Sequence, residues 1–211
     1  DIGTGNSKNV ILKNIKLINS NSNSQVGGMA INCNCNLFLD NIKVVNNVGK
    51  YVGGIIINSA IRININNSYF ENNKATDTKW SFGGALQNKR TLYLENNIFI
   101  NNSVSGGGGA LANYDGGVSY LTNNSFIHNS VINGNGGAVY INGRTDIMNC
   151  NFVDNKAKLG GAVSVESQIT ARKVTIIDSE FKNNLDENGN DINIINPALV
   201  SMSDNIFDSN N

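Results

Sequence analysis

Hydrophobic and polar positions alternate along this chain in short runs, and the runs recur. Val10-Ile11-Leu12, Ile63-Asn64-Ile65 and Leu92-Tyr93-Leu94 each show the two-residue period of a strand buried on one side, and each gives way to an Asn or Gly turn signal. No stretch sustains a 3.6-residue apolar stripe, so leucine-rich, ankyrin and helical repeats fit poorly. Aligned, the runs define one pattern eight times over: an aliphatic residue, Asn or Asp two places on, a bulky apolar residue three further, then Asn or Ser three after that. Leu94/Asn96/Phe99/Asn102 and Ile147/Asn149/Phe152/Asn155 are typical; Leu12/Asn14/Leu17/Ser20 opens the series and Met202/Asp204/Phe207/Asn210 closes it. Glycine pairs such as Gly83-Gly84, Gly108-Gly109 and Gly136-Gly137 fall between copies, and the period is 26 to 29 residues.

A coil of this length cannot bury its own apolar side chains and must stack on the next. The pattern predicts an all-β fold, a right-handed single-stranded parallel β-helix of about eight coils, forming one domain over residues 1–211. The hand follows from the crossover that returns each strand to pair in parallel one coil later. At ~4.8 Å between coils, equivalent residues form columns. Leu12, Leu39, Ile65, Leu94, Leu121, Ile147, Ile176 and Met202 are expected to make one internal column, and Leu17, Val44, Phe70, Phe99, Phe126, Phe152, Phe181 and Phe207 another. Asn14, Asn41, Asn67, Asn96, Asn123 and Asn149 are expected at a corner, as a buried amide ladder that bonds local backbone and the next coil's amide. The glycine pairs mark a second corner, where a positive φ or a close backbone approach excludes Cβ.

Composition alone would suggest disorder, since about one residue in five is Asn. Position argues otherwise, because a disordered segment has no reason to set Asn or Asp three residues before an apolar anchor in every copy. Hydrophobic content of 40% and a single Pro agree with a folded chain. Sixteen basic and sixteen acidic residues give zero formal charge with no basic run, which argues against nucleic acid and anionic membrane as partners. No apolar stretch reaches membrane-spanning length and no leader is evident at Asp1. Neither end resembles the polar cap of a repeat array, so the chain reads as a segment of a longer protein.

Cys150 lies several coils from Cys33 and Cys35, beyond disulfide reach, and all three cysteines are expected to be unpaired, small, buried side chains. Cys-x-Cys with one His is a poor zinc site, and no metal or other cofactor is expected. The glycine pairs are not phosphate loops, lacking Lys-Ser/Thr and a following helix, nor do they recur at a calcium nonapeptide spacing.

Gly-Gly-Ala followed by Leu or Val, as in Gly83-Gly84-Ala85-Leu86 and Gly136-Gly137-Ala138-Val139, combined with Phe-x-x-Asn, resembles the repeat of chlamydial polymorphic outer-membrane proteins. With so much Asn the chain resembles the adhesin-like surface proteins of methanogenic archaea more closely still. The likeness covers about residues 10–210 and departs at Leu17 and Val44, which stand where later coils have Phe, and at Asn188-Gly189-Asn190-Asp191 in place of a glycine pair. It implies an extracellular, cell-surface protein that mediates attachment, and it brings no catalytic residues.

Parallel β-helices also host polysaccharide lyases and glycoside hydrolases, so chemistry has to be sought in the residues. Such reactions need paired carboxylates or a metal-bound acidic cluster with a base. The acids here are scattered. The best pairs are His128 with Asp154, stacked on adjacent coils, and Asp178 with Asp204, which continue the Asn corner. Binding is better represented. Phe38, Asn64, Tyr93, Tyr120 and Asp146 form an outward column, flanked by Asp40, Asn66 and Glu95 and by Arg62, Thr91 and Arg144; Tyr93 and Tyr120 are expected to offer a strip of rings to an extended glycan. The longest loop, 74–82, sets Trp80 and Phe82 outside the coil as a second candidate. The resulting reading is a non-catalytic adhesin-like binding or stalk module whose partner is a glycan or a surface protein of another cell. The alternative is a carbohydrate-active β-helix enzyme.

Overall fold

The structure, a computed structural model, describes residues 8–208 apart from 168, 170 and 189. It is a β-solenoid of parallel strands, the parallel β-helix that the periodicity predicts, and it makes about seven full turns where about eight coils were expected. One coil shows the plan. Thr91–Glu95 lies on the first face, Ile98–Ile100 on the second, a short strand Ser103–Val104 follows, and Leu111–Asn113 forms the third face before Val118–Thr122 starts the next coil. The first and second faces are eight-stranded sheets and the third is seven-stranded, all pairings being parallel between equivalent strands of successive coils. A single-turn helix, Pro197–Leu199, is the only helix among the described residues.

Register places both internal columns as expected. Leu12, Leu39, Ile65, Leu94, Leu121, Ile147, Ile176 and Met202 pair in succession along the first face. On the second face the phenylalanines from Phe70 to Phe207 stack with ring centroids 4.5 to 5.0 Å apart and ring planes within 11° of parallel. Phe70, Phe99, Phe126, Phe152 and Phe181 are wholly buried, and each removes enough apolar surface to contribute about 2–3 kcal/mol. Met202 and Phe207, in the last described coil, remain exposed. Asn210, the closing member of the eighth copy, lies outside the described residues, as do residues 1–7.

The corners explain the asparagines, and here the buried ladder lies six residues beyond the column expected to form it. Asn14, Asn41, Asn67, Asn96, Asn123, Asn149, Asp178 and Asp204 do sit at the first corner, all with φ between 50° and 58°. Asn and Asp tolerate this left-handed geometry better than other side-chain-bearing residues. Yet Asn96 and Asn123 are exposed, so this column is not the buried ladder. A second such corner follows the Phe column at Asn19, Asn46, Asn72, Asn101, His128, Asp154 and Asn183, with φ of 52° to 57°. Reversing the backbone at a left-handed residue points the next side chain inward. The buried ladder is therefore Asn47, Asn73, Asn102, Asn129, Asn155 and Asn184, at most 1% exposed. Each of these from Asn47 to Asn155 donates Nδ2 to the next coil's Oδ1 and to a carbonyl of the preceding coil; Asn129, for instance, reaches Asn155 Oδ1 at 3.1 Å and the Phe99 carbonyl at 3.0 Å. Ser68, Asn97, Asn124, Cys150 and Ser179 play the matching part at the first corner.

Each member of the glycine pairs meets one of the two demands foreseen for them. Gly108 has φ of 69°, whereas a Cβ on Gly109 would collide with the Gly137 carbonyl oxygen of the next coil.

The cysteines depart from expectation in part. Cys150 is the small buried thiol anticipated, its pKa pushed up to about 11 by burial, with Sγ donating to the Met148 carbonyl. Cys33 and Cys35, by contrast, are joined in a disulfide with Cα atoms 5.3 Å apart. Strict alternation would put residues two apart on one face but too far apart to bond; the break between Met29–Asn32 and Cys35–Asp40 bends the chain there and brings the two sulfurs together.

Replacing Asn129 with Leu strips the Asn102 backbone N–H and the Phe99 carbonyl of their partner and should cost about 2–4 kcal/mol. Asn123→Gly, which keeps the positive φ at an exposed corner, should cost less than about 1 kcal/mol. Thermal melting of the two variants decides; equal losses would contradict the ladder assignment.

Candidate aromatic groove on the third face

The third face has an unusual outer side. Its outward column runs Ile56, Gln87, Ala112, Tyr140, Ser164 and Asn193, and of these Ile56, Gln87, Ala112 and Ser164 are buried although they point away from the core. A roof of aromatic side chains accounts for this. Phe82 stacks on Tyr114 at 4.7 Å and tilts against Tyr140 at 5.2 Å, and Gly107 passes so close that an added Cβ would lie 2.8 Å from the Tyr140 ring. Burial beneath this roof, with Glu166 nearby, raises the Tyr140 pKa. The polar end of the face is tied together by Glu166, whose Oε1 accepts from Ser164 Oγ at 2.5 Å and from Asn135 Nδ2 at 3.0 Å.

Beside this roof lies a groove of about 270 Å³ that crosses several coils. Gln25 comes from the first coil, Tyr51, Ile56 and Asn58 from the second, Trp80, Phe82, Gln87 and Lys89 from the third, and Tyr114 from the fourth. Four aromatic rings, three side-chain amides and one ammonium thus converge on one concavity, the mixture expected where an apolar ring face must be held and its hydroxyls bonded.

The loop that carries Trp80 is built, not slack. The Asp77 carboxylate accepts the backbone N–H of Trp80 at 2.7 Å and of Lys79 at 2.9 Å, and these bonds, Trp80's first, hold its pKa below the ordinary carboxylate value. Ser81, fully buried, donates Oγ to the Asp77 carbonyl, and the Phe82 N–H reaches the Tyr51 carbonyl at 3.1 Å. The turn leaves Trp80 70% exposed at the groove rim while Phe82 turns inward to the roof.

The remaining candidates fall elsewhere. Tyr93 and Tyr120 are brought together on the first face at 4.7 Å with planes 14° apart, matching the expected coil spacing. Their faces are occupied, however. Each ring covers the other, Arg62 lies 3.9 Å above Tyr93 and Arg144 5.8 Å from Tyr120, so no open ring face is left for a sugar to stack on. His128 and Asp154 approach to 3.7 Å, but both are second-corner residues at positive φ, His128 exposed and Asp154 half-buried, standing where other coils have Asn. Asp178 and Asp204 likewise occupy first-corner positions. Among the described residues no group of three or more His, Cys, Asp or Glu side chains is placed to hold a metal, and no helix is long and apolar enough to cross a membrane. Of the residues that line the groove, sequence reasoning named Trp80 and Phe82 as candidates but not Tyr51, Gln87 or Tyr114. Tyr51 and Tyr114 each lie beside a glycine-marked turn, a signal that could have flagged them only once the faces were assigned.

No family model matches the chain, and no solved structure matches it. It is similar to the metabotropic glutamate receptor-like protein R of Dictyostelium discoideum, 29% identical over 191 residues. That match takes in 90% of this chain but only 12% of the length of the curated relative.

Proposed function

We propose that this chain is a non-catalytic, cell-surface, adhesin-like binding module that takes a neutral saccharide chain into the third-face groove. The observation that carries the reading is Trp80, held by the Asp77 turn with its ring open to solvent beside Tyr51, Phe82, Gln87 and Lys89. An indole ring offers an apolar face to a pyranose, and amides supply both donors and acceptors for its hydroxyls.

Three further observations support the surface role. The Cys33–Cys35 disulfide suits an oxidising compartment outside the cytosol. The similar Dictyostelium protein is by its name receptor-like. The Gly-Gly-Ala and Phe-x-x-Asn repeat resembles that of attachment proteins. The non-catalytic reading is supported by the positions of His128, Asp154, Asp178 and Asp204, each of which has a corner to form and a left-handed φ to adopt. A partner presenting glycan on another cell would meet the outer side of the solenoid, where the groove lies.

The test uses the single tryptophan as its own reporter. Titration of the purified chain with neutral oligosaccharides should shift and protect Trp80 fluorescence, and calorimetric titration of Trp80→Ala should show binding weakened about tenfold or more, the equivalent of ~1.4 kcal/mol, with little change in melting temperature. Binding unaffected by Trp80→Ala, or release of shortened or unsaturated products from any oligosaccharide, would refute the reading.

A further inference from the structure

The first face carries a feature the groove does not use. Of the buried side-chain nitrogen and oxygen atoms among the described residues, Asn64 Nδ2 alone has no hydrogen-bond partner. Asn64 is 8% exposed and points outward from Arg62–Asn66, in register between Phe38 and Tyr93. In a chain whose buried asparagines are otherwise bonded coil to coil, an orphan amide donor marks a place where an acceptor is missing.

The groups around it are also donors. Arg62, one coil before Tyr93, leans forward over that ring; Arg144, one coil after Tyr120, leans back toward the other. The column is therefore guanidinium, ring, ring, guanidinium. Because the ring faces are used within the column, its outer surface consists of guanidinium N–H edges, phenol hydroxyls and ring edges, which carry the positive end of the aromatic quadrupole. Arg144 is paired with Asp146 at 3.4 Å, whereas none of the ion pairs among the described residues includes Arg62. A planar guanidinium without a carboxylate, next to an amide N–H without an acceptor, matches the two oxygens of one anionic group. The opposite flank differs: Glu95 and Thr122 follow Asn66 there, acceptors suited to ligand hydroxyls and unfavourable to a densely charged polymer.

We propose that the surface formed by Arg62, Asn64, Tyr93, Tyr120 and Arg144 is a second binding site, and that it takes an acidic saccharide chain, with a carboxylate or sulfate set against Arg62 and Asn64 and hydroxyls facing Glu95 and Thr122. Nucleic acid is disfavoured by that acidic flank and by the zero net charge of the chain. The proposal deepens the reading of the chain as a saccharide-binding module, but it does not depend on the groove.

Calorimetric titration of the whole chain with three probes of equal length tests it: a uronate oligosaccharide, a sulfated oligosaccharide and a neutral one. One or both acidic probes should bind at least tenfold tighter to the parent than to an Arg62→Gln, Arg144→Gln variant, and more weakly as salt rises. Their binding should survive Trp80→Ala, which weakens the neutral probe instead; the tighter of the two acidic probes tells carboxylate from sulfate. Arg62 and Arg144 are exposed, so the variant should melt with the parent. Acidic probes that bind no tighter than the neutral one, that bind the arginine variant undiminished, or that are lost with Trp80→Ala would overturn the second site while leaving the groove to be judged by the neutral probe alone.

Discussion

The constraint on which this molecule depends is the closing of each coil around a buried amide. A solenoid turn must bend its backbone by large angles at fixed places, and every bend strands peptide groups inside. At the second corner one left-handed residue makes the bend, and the asparagine after it turns inward and uses Nδ2 and Oδ1 to reach the coils on both sides. Because the amide both donates and accepts, the same residue can repeat without end. The stacked phenylalanines beside it add apolar burial, but burial is indifferent to small shifts along the axis, whereas the hydrogen-bonded ladder is not.

That repetition also decides where binding can occur. When successive coils place aromatic residues in register, the rings satisfy one another at the coil spacing, as in the internal Phe column and on the first face at Tyr93 and Tyr120. A stacking surface for a ligand needs an aromatic residue that the ladder leaves unmatched. The insertion that lengthens the third coil supplies one, since the interval from Ile65 to Leu94 is 29 residues while its neighbours are 26 and 27. The extra chain is fixed by Asp77, and Trp80 has no counterpart on either side. The first face, with its ring faces consumed, is left with charge and hydrogen-bond donors.

Much of this architecture was legible in the residues themselves. The apolar columns, the parallel stacking and the role of the glycine pairs followed from period and spacing, because those features repeat and repetition averages out local accidents. What repetition cannot resolve is a shift within the repeat. Asn96 and Asn102 recur with equal regularity, and only the direction of the side chain after a left-handed residue shows that the second is the buried one and the first the bend. Non-repeating features were hidden for the opposite reason. The Cys33–Cys35 bond depends on one break between strands, and the groove gathers Tyr51, Gln87 and Tyr114 from three coils whose common outlet appears only when the third face is roofed. His128 and Asp154 looked like chemistry because a histidine and a carboxylate stack on adjacent coils, and the positive φ they share with the asparagines of the same column gives them a structural role.

The most direct measurement is native-state hydrogen exchange of the asparagine side-chain amides, resolved by nuclear magnetic resonance. The Nδ2 groups of Asn73, Asn102, Asn129 and Asn155 should exchange only on unfolding, together as one unit, whereas those of the exposed corner residues Asn96 and Asn101 exchange at rates close to a free amide. Equal, fast exchange of both sets would contradict the claim that the inward amides hold the coils in register.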